Sequence, residues 1–156
     1  MNSLIIEEAD ISDANEILLL QKRAYKSEDD LYDNLTIPPM EQTLDEIIKE
    51  YEDHFFLKAT INNCIIGSLR VNVLNSETCY VGRLIVEPDL QNQGVGSALM
   101  DEIEHIFSKY SRFVLTTGHK SKENIHFYSN KGYKIFKIKY INENLRFVYL
   151  EKIKSK

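Results

Sequence analysis

The sequence predicts an α/β fold, a mixed sheet with helices on its faces, in a single domain over residues 1–156. Three observations predict it. Hydrophobic spacing is helical in the first third and changes to a period of two near His54, after which the two patterns alternate. The segments are separated by short turn signals, with no repeat, no low-complexity tract and no Pro/Gly/Ser linker. Hydrophobic residues are 43% and charged residues 28% of the 156, enough for one core of ordinary size.

Taken in order, Ser3 to Glu8 reads as a strand. Asp10 or Ser12 caps a helix whose inward positions are Ile11, Ala14, Ile17, Leu18, Gln21 and Ala24/Tyr25. Residues 26–42 read as a polar, acidic connection closed by Pro38-Pro39. Thr43 and Glu46 then form a capping box that opens a helix running to about Glu52. His54–Ile61 and Cys64–Leu74 are strands joined at Asn62-Asn63, residues that tolerate the positive φ of a tight hairpin. Thr78–Val86 is a third strand of this set, stopped by Pro88. Val95, Leu99, Ile103, Ile106 and Phe107 mark one face of the next helix. Arg112–Thr117 is a strand, Ser121–Asn130 a helix broken by Gly132, and Tyr133–Ile141 with Leu145–Ile153 a closing hairpin. The order is β-α-α-β-β-β-α-β-α-β-β.

The formal net charge of −5 argues against a nucleic-acid binder, whose affinity depends on clustered Lys and Arg. The start, Met1-Asn2-Ser3-Leu4-Ile5-Ile6-Glu7, is too polar for a signal peptide, and no apolar run approaches the roughly 20 residues of a membrane span. No nucleic acid, no membrane and a cytoplasmic setting are expected. Cys64 and Cys79 have no metal spacing, and both are expected to be small buried apolar residues.

The informative stretch is Leu84-Ile85-Val86 leading through Pro88 into Gln91-Asn92-Gln93-Gly94-Val95-Gly96-Ser97. A strand enters, a loop turns, and glycines open a helix. The first-turn N–H groups of such a helix lack intrahelical partners and sit at the positive end of its dipole. Glycines let an anion approach that backbone without a basic side chain. No Gly-Lys-Ser/Thr follows, which excludes a Walker loop, and the third glycine of a dinucleotide fingerprint is absent.

The run resembles the acetyl-CoA loop of the GCN5-related N-acetyltransferase (GNAT) superfamily, Gln/Arg-x-x-Gly-x-Gly/Ala after a Leu-x-Val-x-Pro-like strand end. A later patch, Asn124-Ile125-His126-Phe127-Tyr128-Ser129-Asn130-Lys131-Gly132-Tyr133, resembles the family's aromatic pair before Gly-Phe/Tyr. The resemblance covers nearly the whole chain and implies a mixed, mostly antiparallel GNAT sheet. It also implies transfer of acetyl from acetyl-CoA to a primary amine, on a small molecule or a peptide, in a ternary complex without metal. A non-catalytic acyl-CoA-binding regulatory or interaction module is the alternative.

Carried over residue by residue, Gln91 to Ser97 would hold the pyrophosphate, and Leu84, Ile85 and Val86 the pantetheine and thioester by their backbone. Tyr128 would protonate the departing thiolate. Many relatives have an asparagine seven residues before that tyrosine. Here Ser121 stands there, with Asn124 one turn on; either bonds the arm, and Ser121 is equally a plain N-cap. The family's strand glutamate falls at or near Tyr80, which is no base at neutral pH. Glu77, Glu87, His119 and His126 remain open as bases, so none is named. The acidic residues Glu28, Asp29, Asp30, Asp33, Glu41, Asp45, Glu46, Glu50, Glu52 and Asp53 would attract a cationic acceptor, or are only solvated faces. Tyr25, Tyr32, Tyr51 and Tyr80 are candidates to line an acceptor pocket. A homodimer through the terminal strands is a further expectation of the resemblance.

Overall fold

The computed structural model describes residues 3–32 and 37–154. Seven strands form one mixed sheet in the order β1-β2-β3-β4-β5-β7-β6. They are β1 (Ile5–Glu8), β2 (Phe55–Ile61), β3 (Cys64–Val73), β4 (Thr78–Val86), β5 (Arg112–Gly118), β6 (Lys134–Asn142) and β7 (Leu145–Ile153). Every neighbouring pair is antiparallel except β4 with β5, where a helical crossover intervenes.

The helices are α1 (Ala14–Ala24), α2 (Lys26–Leu31), α3 (Pro38–Glu41), α4 (Leu44–Glu50), α5 (Val95–Ile106) and α6 (Lys122–Asn130). The segment expected to be a plain connection therefore contains two short helices. α3 begins at Pro38, whose fixed φ and missing N–H suit a first helical turn. The asparagine hairpin is as expected, with φ of 53° at Asn62 and 65° at Asn63. The Thr43–Glu46 capping box forms as expected, and Asp10 makes a second one with Asp13. Asp10 caps a 3₁₀ turn, Ile11–Asp13, ahead of α1, and this turn leaves Ile11 exposed instead of inward.

One face of the sheet is covered by α5 and α6, which bury Leu99, Met100, Ile103 and Tyr128 against Leu57, Leu69, Phe113 and Leu150. The three α5 residues are fully buried and contribute about 1.5–3 kcal/mol each to holding that helix in place. Ile106, expected on the same face, is exposed because the helix ends there. The other face is covered by α1 and α4, where Ile17, Leu20 and Ile47 meet Phe56, Ile65 and Ile85. Cys79 is buried, and burial raises its thiol to about 11; Cys64, first in β3 after the turn, is exposed, contrary to expectation. No described helix is long and apolar enough to cross a membrane.

Candidate active site

The site begins with a fault in β4. Arg70 pairs with Gly82 and Ser68 with Ile85, so Arg83 and Leu84 together oppose the single residue Leu69. This is a β-bulge, and it puts Arg83 at a φ of 53°, a region that non-glycine residues rarely adopt. β4 pairs with β5 only from Thr78 to Tyr80. Past Tyr80 the two strands part, while β5 keeps its ladder with β7 as far as Gly118. Glu87 donates its N–H to the Ile66 carbonyl at 2.8 Å. By antiparallel alternation, the backbone of Val86 turns away from β3 and into the opening.

The loop beyond β4 delivers a helix end to the same place. Gln91 Nε2 donates to the Val86 carbonyl at 3.2 Å, and left-handed Asn92 (φ 64°) and Gly94 (φ 87°) turn the chain. Within α5 the Ala98 N–H reaches the Gly94 carbonyl at 3.0 Å. The amides of Val95, Gly96 and Ser97 precede the first such bond and are the orphan donors of the helix start. A Cβ on Gly94 would meet nothing within 4 Å; one on Gly96 would lie 3.6 Å from Phe127 Cζ and 3.8 Å from Leu84 and Val86 methyls. The cradle is thus open at its backbone and floored by apolar side chains. Lys131 Nζ, at the end of α6, donates to Ser97 Oγ at 2.9 Å and pairs with Asp101.

α6 forms the facing wall. Gly132, at φ 95°, ends it, and the Tyr133 N–H bonds back to the Tyr128 carbonyl at 3.0 Å. Tyr128 packs edge-on to Phe127 and Tyr133 with ring centroids 5.2 and 6.0 Å away, and burial raises its phenol well above the ordinary value. It stays protonated throughout the neutral range.

α2 closes the far side through a chain of hydrogen bonds to α6. The Lys120 N–H donates to Tyr32 Oη at 3.1 Å, Tyr32 bonds Ser121 Oγ at 2.9 Å, and Ser121 donates to the Glu28 carboxylate. Asn124 Nδ2 gives Glu28 a second bond at 3.0 Å. Burial raises the Glu28 carboxyl above its ordinary range, and the Ser121 bond partly opposes that rise. Gly118 makes the docking possible, since a Cβ there would fall 1.9 Å from Tyr32 Oη. Between β4, the start of α5, α6 and α2 lies a cavity of about 220 Å³.

The sequence matches the Acetyltransferase (GNAT) family over residues 16–133. The chain belongs to that family. Its fold is similar to that of the ribosomal-protein-S18-alanine N-acetyltransferase of Escherichia coli (TM-score 0.81, 15% identity, 99% of this chain and 96% of that one). PaiA N-acetyltransferase of Thermoplasma acidophilum, solved in complex with coenzyme A, is also similar (TM-score 0.76, 19% identity, 97% and 99% covered). So is a GNAT-family acetyltransferase of Streptococcus pneumoniae (TM-score 0.77, 19% identity, 98% and 100% covered). No curated protein matches the sequence.

In this GNAT chain the expected site residues divide into two groups. Leu84, Ile85, Val86, Gln91, Asn92, Gly94, Val95, Gly96, Ser97, Asn124 and Tyr128 all line the cavity, whereas Gln93 and Ser121 do not. Ser121 occupies the N-cap position of α6 but makes no capping bond; its buried hydroxyl is committed to Glu28 and Tyr32. Of the four open candidates for a base, none lines the cavity. Glu87 is paired with Arg23 at 2.7 Å, His119 Nδ1 accepts the Arg146 N–H at 2.8 Å, and His126 lies against Asn130 on the surface. Glu77 stands at the opposite end of β4.

The carboxylates that do line it are Glu28 and Glu123. Most of the acidic run is spent on local structure: Asp30 on Lys26, Asp29 on the Ile37 N–H, Glu46 in its capping box, Glu50 on Arg70, Asp53 on His54. Asp33 lies outside the described residues. Among the four tyrosines, only Tyr25 lines the cavity. Tyr32 locks α2 to α6, Tyr51 stacks on Phe56 at 3.9 Å in the opposite core, and Tyr80 lies over Gly82.

Proposed function

We propose that this protein is an acetyl-CoA-dependent N-acetyltransferase acting on a primary amine of a small molecule or peptide. The observation that carries the reading is one convergence: the outward backbone of Val86, the unpartnered amides opening α5, and Tyr128 all border a single cavity. The coenzyme A complex of the structurally similar PaiA protein supports the choice of donor. When bound, acetyl-CoA supplies an acetyl thioester and needs no metal.

The chain's own groups then divide the work. The Val95, Gly96 and Ser97 amides hold pyrophosphate at the helix start, with Gln91, Asn92 and Gln93 shaping the loop. The outward backbone of Val86 orients the pantetheine and donates toward the thioester oxygen, where negative charge develops as the amine adds, with Leu84 and Ile85 beside it on the cavity wall. Asn124 keeps Oδ1 as an acceptor for the pantetheine amides, while its Nδ2 stays on Glu28. Glu28 takes the proton lost by the attacking amine, being the half-buried carboxylate of the cavity wall. Tyr128 gives its proton to the sulfur as the carbon–sulfur bond breaks. The new bond is carbon–nitrogen, and the amine's proton is balanced by the thiol's.

The reaction is assigned to the cytoplasm, with one catalytic domain and neither nucleic acid nor membrane taking part. A homodimer is assigned to β6, an edge strand exposing Ile135, Phe136, Ile138 and Tyr140, where its alternation buries neither face. The test is a screen of primary amines with acetyl-CoA, following release of free thiol. Acetylation of at least one amine class, abolished by Tyr128→Phe, is expected. Tight acetyl-CoA binding with no turnover on any amine would leave a non-catalytic acyl-CoA-binding module in its place.

A further inference from the structure

Glu28 is held by two side chains from the start of α6, and counting protons fixes the direction of the bonds behind it. One carboxylate oxygen accepts from Asn124 Nδ2 at 3.0 Å, the other from the Ser121 hydroxyl. Ser121 has one proton and gives it to Glu28, so in its 2.9 Å contact with Tyr32 the phenol is the donor. Tyr32 in turn accepts the Lys120 backbone N–H at 3.1 Å. Every proton in the row Lys120, Tyr32, Ser121 points toward Glu28. Glu28 and Tyr32 stand one turn apart, Tyr32 at the C-cap of α2, which brings both to the start of α6.

This row fits a carboxylate and not a carboxylic acid. A proton on the oxygen facing Asn124 would meet the hydrogens of the amide. A proton on the other oxygen would turn Ser121 round toward Tyr32, and the Tyr32 proton would then face the Lys120 N–H. Tyr32 and Ser121 are 1% and 2% exposed, so neither can turn to solvent instead. Glu28 also lies at the positive end of the α6 dipole, bonded to side chains at the N-cap and in the first turn. Burial is the main force raising the Glu28 carboxyl and the Ser121 bond the main one lowering it; Glu123 of α6 adds to the rise and Asn124 to the fall. Tyr25 and Tyr128, which share the cavity, are phenols kept protonated by burial. The Lys120 ammonium and the His119 ring face the Tyr32 ring, at 5.8 and 6.0 Å.

We propose that Ser121 and Tyr32 are positioning residues, a one-way row of donors that keeps Glu28 ionised and in place to take the amine's proton. This rests on the reading of Glu28 as the base and adds what fits a half-buried carboxylate for that work. The hydroxyl that a plain N-cap would turn to its own helix is turned to the base instead.

The experiment measures kcat/KM against pH, with an amine found in the acceptor screen. The proteins are the wild type, Ser121→Ala, Tyr32→Phe, Glu28→Gln and the Glu28→Gln/Ser121→Ala double variant. In parallel the Glu28 carboxyl is titrated by NMR of protein labelled with carbon-13 glutamate, its signal assigned by its absence from Glu28→Gln; this arm needs no acceptor. Removing a donor to the ionised form raises a carboxyl. In Ser121→Ala the acid limb and the NMR midpoint should both move to higher pH, by about one unit, with about tenfold lower kcat/KM on the acid side. Tyr32→Phe, which keeps the ring, should move both the same way by less. In the double variant the Ser121→Ala change should leave the profile of Glu28→Gln as it is, because the limb is already gone. An NMR midpoint that stays or falls in both single variants overturns the proposal. So does a kcat/KM lowered equally at every pH with the limb unmoved, which a merely structural role would give. If Glu28→Gln keeps the wild-type limb, the reading of Glu28 as the base fails by itself, and the carboxyl midpoint still decides the donor row.

Discussion

Glu28 and Asn124 are hydrogen-bonded at 3.0 Å across a separation of 96 residues. That bond joins α2, which follows the first long helix, to α6, which carries Tyr128. It places a carboxylate on the wall of the cavity that Tyr128 also lines. On the proposed reading, the proton acceptor for the amine and the proton donor for the thiolate both border one space, as direct acyl transfer requires.

Glu28→Gln tests the acceptor half. Burial holds the Glu28 carboxyl above its ordinary value of 4.5, and Glu123 of α6 adds to that rise. A base must be ionised, so wild-type kcat/KM should fall as pH is lowered through that raised value and level off above it. The glutamine variant should lose roughly 10²–10⁴-fold and lose this acid limb. An unchanged pH profile in the variant would remove Glu28 from the mechanism.

Tyr128→Phe tests the donor half. The ring sits against Phe127 and Tyr133, and those contacts survive loss of the hydroxyl. Stability should change by no more than about 1 kcal/mol, while kcat falls by about 100-fold or more. Full activity in the variant, measured by thiol release, would refute the assignment.

Gly118→Ala tests the docking of α2. A Cβ there would fall 1.9 Å from the Tyr32 hydroxyl, so the ring must leave its site or β5 must shift. The cost should be about 1–3 kcal/mol by chemical denaturation, as for overpacking elsewhere. Because Tyr32 holds Ser121 and Ser121 holds Glu28, activity should drop by more than the loss of folded protein explains.

Glu104→Ala probes the other end of α5, remote from the cavity. This carboxylate is buried and receives Tyr133 Oη at 2.9 Å and Lys152 Nζ at 2.8 Å, with Lys154 at 3.2 Å. Removing it strands those groups, and unfolding should become easier by about 3–5 kcal/mol. Acetyl-CoA affinity of the folded fraction should stay within a few-fold of wild type. A large loss of affinity at unchanged stability would contradict this division between support and site.

Much of the site was legible because its determinants are local. A helix start needs its glycines next to it in sequence, and the aromatic pair of α6 lies one residue from the next. Gly94, Gly96 and Tyr128 accordingly all line the one cavity. Glu28 did not stand out, since its neighbours Asp29 and Asp30 have the same chemistry and only the docking of α2 on α6 distinguishes it. The bulge at Arg83 was hidden for a different reason. An arginine at positive φ carries no turn signature, and no glycine, asparagine or proline stands where the ladder slips between Gly82 and Ile85. Ser121 shows local rules losing to tertiary structure: an N-cap position whose hydroxyl turns to a glutamate instead.

The most direct test of the central claim is calorimetric titration of acetyl-CoA into the wild type and Gly96→Val. The added side chain would project from a position already 3.6 Å from Phe127 at its Cβ, into the space between α5 and β4. The wild type should bind one equivalent, with stabilisation of about 2.7 kcal/mol at a hundredfold excess over Kd. The folded variant should show no measurable binding. Equal affinity in both proteins, or no binding by the wild type, would contradict the placement of acetyl-CoA in this cavity.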